Sequence, residues 1–457
     1  MLSHHGRRGR LRATTAATGI ALALLAGTAG TAAAVPAAGT DDPAAVSRHT
    51  GLDRRALAQR LDAVHGAGMY GAYASVRDGR ARWTGATGLA DVDTGRRTAP
   101  DMRHRVGSVT KSFTAVAVLQ QSAAGRIRLD SPVGDHVPEL VPGERGRKIT
   151  VRMLLNHTSG IADYIAEAFP SVKQGSPSSL EEFRHRTISP ATLAGYGVNL
   201  PQLFEPGTSW SYSNTNYILL GEVLRKVTGQ DPERVITRDV IRRAGLRDTW
   251  FPGTDPRIRG PHSRMYEGFG GVLTPPRDFS EYNMTMAGTA GALISTTQDL
   301  NTFYRTLLQG GLLPAAQLRE MRTTVPYRDE NGTVLLRYGL GIYSLDTPCG
   351  PVWGHDGGVF GATTTAMSTA DGERQYAAGF NLTGYQRTDP DGNPVPHPVD
   401  AAQAALFDQA LCGGTAPTAR TDAPRVLPRL PDALTAPTAP TATDAATRPA
   451  ASGQRAE

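Results

Sequence analysis

The 457-residue chain has no apolar run long enough to cross a membrane. A span needs about 20 strongly apolar residues. The stretch from Gly19 to Gly27 is short and rich in Ala, Thr and Gly, and no later segment comes closer. A basic footprint for nucleic acid is also missing. The formal charge is +6, but Arg7, Arg8, Arg10 and Arg12 supply +4 before the first acidic residue, and the segment from 415 onward nets +1. The body from 35 to 414 is left at +1, which excludes binding driven by the phosphate backbone. Eleven histidines form no H-x-x-x-H pair or other ligand spacing, so neither a metal nor a cofactor is expected. No G-x-S-x-G occurs, which removes the strand-turn-helix nucleophile of one large hydrolase class. Thr110 stands where a phosphate loop needs glycine before Lys111-Ser112. Cysteine is scarce, at two residues.

The ends of the chain read as unlike its body. Residues 1–34 have an Arg-rich start, a short apolar stretch and Ala32-Ala33-Ala34 at a small-x-small site, the pattern of an export signal. Residues 35–47 read as an Ala/Pro/Asp linker, and residues 415–457 as an unfolded Ala/Thr/Pro tail. A secreted, monomeric protein is expected. In an exported chain the even pair Cys349 and Cys412 suggests one disulfide.

The body, 48–414, mixes both kinds of regular structure. Leu52 to His65 has helical apolar spacing, and Asp78-Gly79 separates two β-like runs. Ser108 to Ala124 reads as an apolar helix ended by Gly125. Tyr217 to Val227 reads as another, and Thr296 to Leu308 as a third with Ser295 and Gln298 in capping-box spacing. Short β-like runs fill 335–382, and Pro398 to Leu411 reads as a last helix. The expected fold is α/β (α+β). An antiparallel sheet is assembled from about 48–125 and 311–414, with flanking helices, and a helical subdomain of about 126–310 is inserted between.

Three polar clusters could carry chemistry. In Gly107-Ser108-Val109-Thr110-Lys111-Ser112, Ser108 and Lys111 are three apart, which on a helix puts their Cβ atoms about 5–6 Å apart on one face. A serine hydroxyl needs a base, and a lysine in a dry cleft can lose its proton and become one. The competing reading is a serine that caps a helix beside a solvated lysine. Against it stands the small, apolar character of the rest of that helix, which would half bury Lys111. In Trp210-Ser211-Tyr212-Ser213-Asn214-Thr215-Asn216-Tyr217, Tyr212 and Asn214 can share a cleft as proton shuttle and amide anchor, or the stretch is only a polar cap for the next helix. In Trp353-Gly354-His355-Asp356-Gly357-Gly358, glycines would admit a substrate backbone to a strand edge and His355 could add positive polarity or a hydrogen-bond donor, or the cluster is a turn.

The order S-x-x-K, Y-S-N, H-x-G, with Arg105 to Phe113, Asn156-His157-Thr158-Ser159-Gly160, Ala290 to Leu300 and Tyr338-Gly339-Leu340-Gly341, resembles the serine β-lactamase and penicillin-binding superfamily from about residue 50 to 414. The nearest pattern is that of secreted actinomycete D-alanyl-D-alanine carboxypeptidases, beside class C β-lactamases, and the spacing of the two cysteines fits it too. The resemblance implies a β-lactamase/transpeptidase-like fold and an acyl-enzyme on Ser108, with the proton work shared by Lys111 and Tyr212. It makes Asn214, His355, Asp356, Gly357 and Gly358 substrate-binding, with an oxyanion hole of the Ser108 and Gly358 amides. The substrates implied are D-alanyl peptides and β-lactams, with an esterase or amidase, or a penicillin-binding protein of negligible turnover, as alternatives. Three positions depart from the carboxypeptidase pattern. Asp356 and Gly358 replace hydroxyl residues, and Tyr343 replaces an arginine, all of which serve the substrate's terminal carboxylate there.

Overall fold

The computed structural model describes residues 51–329, 331–387, 395–413 and Leu427. The expected export signal and linker lie outside these residues. So does the expected tail apart from Leu427, which packs half-buried against the sheet-side core. The described residues fall in one compact unit, Arg48–Glu457.

Helix α1 (Arg54–Gly66) begins where the Asp53 carboxylate accepts from the Ala56 amide, and it buries the stripe Leu57, Leu61 and Val64. Strands β1 (Gly71–Asp78) and β2 (Ala81–Asp91) form the expected hairpin around Gly79, at φ +56°. A two-residue β3 (Arg96–Arg97) lies beside β2. Then come helix α2 (Thr110–Ala123), helix α3 (Asn214–Thr228) and helix α4 (Thr297–Leu308), with shorter helices and turns between. The chain returns as β4 (Val325–Arg328), β5 (Val334–Tyr338), β6 (Tyr343–Thr347), β7 (Gly350–Val359), β8 (Ala362–Thr369) and β9 (Arg374–Phe380), and α5 (Pro398–Cys412) follows.

The nine strands make one sheet, ordered β3-β2-β1-β9-β8-β7-β6-β5-β4, with every pair antiparallel. The two ends of the body meet at β1 and β9, where Ala72 faces Phe380 and Asp78 faces Arg374. Gly71 to Val76 and all of β9 are buried, as strands covered on both faces must be. One core lies between the sheet and the pair α1 and α5. The other joins α4 to the opposite face and continues around α2 and α3. The fold is thus the expected mixed α/β architecture with a large antiparallel sheet. Cys349, just before β7, is bonded to Cys412 at the end of α5, with Cα atoms 5.5 Å apart. Among the described residues no helix is long and apolar enough to cross a membrane.

Three local expectations need correction. Ser108 is not in the α-helix but in a 3-10 turn, Gly107–Val109, that leads into α2. Gly107 there has φ +52°, which suits glycine. The cap of α4 is Thr296, which accepts from the Asp299 amide, because Ser295 is already paired with His104 in a short bridge. Helix α3 starts three residues early, at Asn214, after the extended Ser213. Of the two readings of the glycine-rich stretch around His355, the strand edge holds and the turn does not: it is strand β7.

Candidate active site

The end of β7 lies against the Ser108 turn closely enough to exclude side chains. A Cβ on Gly357 would fall 2.1 Å from the Val106 carbonyl oxygen and 2.8 Å from the Ser108 nitrogen. A Cβ on Gly107 would fall 2.7 to 3.0 Å from the backbone of Gly358. These glycines therefore serve close backbone approach, which brings the Gly358 amide beside the Ser108 turn.

Lys111 is wholly buried, one turn along from Ser108. Its Nζ lies 2.9 Å from Ser108 Oγ, 2.7 Å from Asn214 Oδ1 and 2.8 Å from the Ala290 carbonyl oxygen. It also sits 4.9 Å above the Tyr212 ring and 5.5 Å from that of Tyr217. Two of the three Nζ partners, the Asn214 and Ala290 oxygens, can only accept. A neutral amine spends both hydrogens on them and turns its lone pair to the Ser108 hydroxyl, the arrangement a general base requires. An ammonium donates to all three, so the same geometry holds the protonated product of the step. The structure thus brings together Ser108, Lys111, Tyr212, Asn214 and the Gly357-Gly358 backbone.

His355 is in the site's frame rather than its mouth. It is fully buried, and its Nδ1 donates to the Asp356 carbonyl oxygen. Burial, then the nearby Lys111 charge, pushes its pKa down to about 3. The positive polarity expected of it is therefore absent, and both ring nitrogens are engaged within the protein. They close a chain that begins at His157, which stands at φ +62° in left-handed backbone that few non-glycine residues adopt. Ser213 N–H and the Asn216 side-chain amide both donate to His157 Nδ1, each at 3.2 Å. The neutral ring then carries its proton on Nε2 and donates to the Tyr338 hydroxyl at 3.2 Å. Tyr338 donates onward to His355 Nε2 at 2.9 Å. Burial, with Lys111 and His355 adding to it, holds His157 well below the usual imidazole range as well. The chain ties the loop before α3 to strand β7, and the His157 ring packs 4.4 Å from that of Tyr212.

Asp356 turns its carboxylate to the buried hydroxyl of Tyr343, the residue standing where the resemblance places arginine. Burial pushes the Tyr343 phenol well up, and the charge and hydrogen bond of Asp356 add to this. Sequence reasoning assigned no role to His157, Tyr338 or Asp163. The first two lay in stretches quoted only for resemblance. Asp163 accepts from the Asn214 backbone N–H at 2.7 Å and from its side-chain amide at 2.8 Å. Among the described residues no group of three or more His, Cys, Asp or Glu side chains is placed to hold a metal ion.

The Beta-lactamase family model matches residues 53–394. Among curated proteins the chain is similar to Esterase EstB of Burkholderia gladioli, 34% identical over 233 residues, covering 47% of this chain and 56% of that one. It is also similar to Protein flp of Staphylococcus aureus (strain COL), 30% identical over 228 residues, covering 49% of this chain and 42% of that one. The chain thus spans about half the length of these curated relatives. Among solved structures, a D-stereospecific amidohydrolase from Streptomyces sp. is 40% identical, with TM-score 0.70, covering 79% of this chain and 100% of that chain. A D-amino acid amidase from Ochrobactrum anthropi SV3 shares the fold at 23% identity, with TM-score 0.62, covering 72% of this chain and 91% of that one.

Proposed function

The chain is a serine hydrolase of the beta-lactamase family, and on that premise we propose that it forms an acyl-enzyme on Ser108 with amides and esters of D-configured amino acids. The observation that carries the reading is the Lys111 amine, 2.9 Å from Ser108 Oγ with its other two partners fixed acceptors. In the proposed cycle the amine takes the Ser108 proton while Oγ attacks the substrate carbonyl. The Ser108 and Gly358 amides receive the oxyanion. Tyr212 hands a proton to the leaving amine or alcohol, and the C–N or C–O bond breaks to leave the ester on Ser108. Water then attacks that ester and gives a proton to the Tyr212 phenolate, the C–Oγ bond breaks, and the Lys111 ammonium returns its proton to Ser108 Oγ as the acid is released.

The amide and ester class is supported by likeness to the Streptomyces D-stereospecific amidohydrolase and to Esterase EstB. Asp356 and Tyr343 support it too. A free-acid substrate would bring its carboxylate toward Asp356, and two like charges about 4 Å apart cost about 4 kcal/mol at an effective dielectric of 20. Tyr343 is neutral and its hydroxyl already serves Asp356, so it cannot replace the arginine of the carboxypeptidase pattern. Free-acid D-alanyl-D-alanine peptides become poorer substrates than the expected carboxypeptidase activity requires. The test compares kcat/KM for one D-alanyl peptide as free acid and as amide, in the wild type and in Asp356→Thr. Wild type should prefer the amide, and the variant should move toward the acid. A strong wild-type preference for the acid would restore the carboxypeptidase reading. Export and a monomeric state complete the proposal. The Cys349–Cys412 bond suits an oxidising compartment.

A further inference from the structure

Asn214 is useful to Lys111 only while its amide oxygen, not its nitrogen, faces the amine. An amide can flip, and the two orientations have nearly the same shape. Here one neighbour decides between them. Asp163 Oδ2 accepts from both the Asn214 backbone N–H and the side-chain Nδ2, at 2.7 and 2.8 Å, while Asp163 Oδ1 accepts from the Ile165 amide at 2.9 Å. Three N–H donors converge on one carboxylate, which is the pattern an ionised group takes. Flipping Asn214 would set its oxygen against that carboxylate and its NH₂ against Lys111 Nζ. The loop carrying Asp163 is pinned to the start of α3 independently, because the Ala162 carbonyl accepts from the hydroxyls of Ser213 and Thr215.

We propose that Asp163 is a positioning residue for Lys111: it holds Asn214 with its oxygen on the amine, so that the amine's lone pair is left for the Ser108 hydroxyl, and its own charge sets the pH at which that lone pair becomes free. The inference rests on acyl transfer at Ser108. The titratable groups facing Lys111 include His157 and Asp163 from the irregular segment 156–164, Tyr212 just before α3 and Tyr217 in its first turn, and His355 from β7. Both histidines are neutral; burial raises the Asp163 carboxyl, while the Asn214 and Ile165 N–H groups and the Lys111 charge pull it back toward the ionised form, which makes it the carboxylate of this set. A carboxylate near an ammonium favours the protonated form, so its removal frees the amine at lower pH.

The experiment is the pH profile of kcat/KM for p-nitrophenyl acetate, with the full chain as wild type, Asp163→Asn and Asp163→Glu. Asp163→Asn should move the acid limb down by about one pH unit and lower the plateau about tenfold or more through misplacement of Asn214. Asp163→Glu, which restores the charge, should return the limb to its wild-type position. An unmoved limb in Asp163→Asn overturns the proposal whether or not the plateau falls, since plateau loss alone is what a merely structural residue gives. A limb in Asp163→Glu that follows Asp163→Asn overturns it as well. Asp163→Ser carries the same prediction where Asp163→Asn does not fold. Labelling of wild-type Ser108 by benzylpenicillin separates the two failures. An unlabelled wild type removes the acyl-transfer reading, whereas a labelled wild type with an unmoved limb removes only the role given to Asp163.

Discussion

Replacing Gly357 with alanine would place one methyl group between strand β7 and the Ser108 turn. That methyl would fall 2.1 Å from the Val106 carbonyl oxygen and 2.8 Å from the Ser108 nitrogen. A Cβ essentially never comes closer than 3.0 Å to a neighbour, so the two backbones must part by about 1 Å, an overpacking shift that costs roughly 1–3 kcal/mol of stability. The larger effect is on chemistry. The same parting would carry the Gly358 amide away from the Ser108 turn, and a misplacement of about 1 Å at a reacting centre costs on the order of 100-fold in rate, or about 2.7 kcal/mol. The assay is the second-order acylation rate with a chromogenic cephalosporin, with thermal melting of the same samples. Gly66→Ala is the control, because nothing lies within 4 Å of the Cβ it adds. Gly357→Ala should acylate about 100-fold more slowly while Gly66→Ala matches wild type. An acylation rate within about threefold of wild type in Gly357→Ala, with an unchanged melt, would refute the account of β7 as half of the oxyanion hole.

Further expectations follow from the same contacts. Lys111→Ala and Tyr212→Phe should each lose more than about 100-fold in acylation with little change in melting, and a near-normal rate in either removes that residue from the mechanism. His355 has a folded pKa of about 3, below its unfolded value, so the stability it lends is complete above about pH 6.5 and is lost as the pH falls toward 3. Relative to His355→Gln, wild type should therefore lose about 1.2 kcal/mol between pH 6 and 5; a constant difference in denaturant titrations at those two values would show that the buried ring is not held neutral. Non-reducing peptide mapping should join Cys349 to Cys412, and reduction should cost up to about 4 kcal/mol for a loop of this length. Two free thiols in protein recovered from the medium would contradict the bond.

The parts of the site that could be read from sequence are those whose geometry is local. Ser108 and Lys111 lie one turn apart along the chain, and their spacing alone predicts a shared face. Helix α1 and the β1–β2 hairpin likewise follow from apolar period and a turn glycine. Errors arose where a distant partner decides. Ser295 looks like a cap until it is paired with His104 across the molecule, and the first turn of α3 is missed because Asn214 is set by Asp163 rather than by apolar spacing. Asp163, His157 and Tyr338 share no period with the residues they hold. Asp163 is 51 positions from Asn214, and Tyr338 is 181 from His157. His355 was legible as a member of the site but not in its charge, because the burial that keeps it neutral is a property of the assembled core.

The central claim is that Ser108 is the nucleophile, and intact-mass and peptide-mapping spectrometry after incubation with benzylpenicillin tests it most directly. The account predicts one penicilloyl mass on the wild-type protein, located on the peptide that contains Ser108, and none on Ser108→Ala. An adduct on any other serine, or an equal adduct on Ser108→Ala, would contradict it.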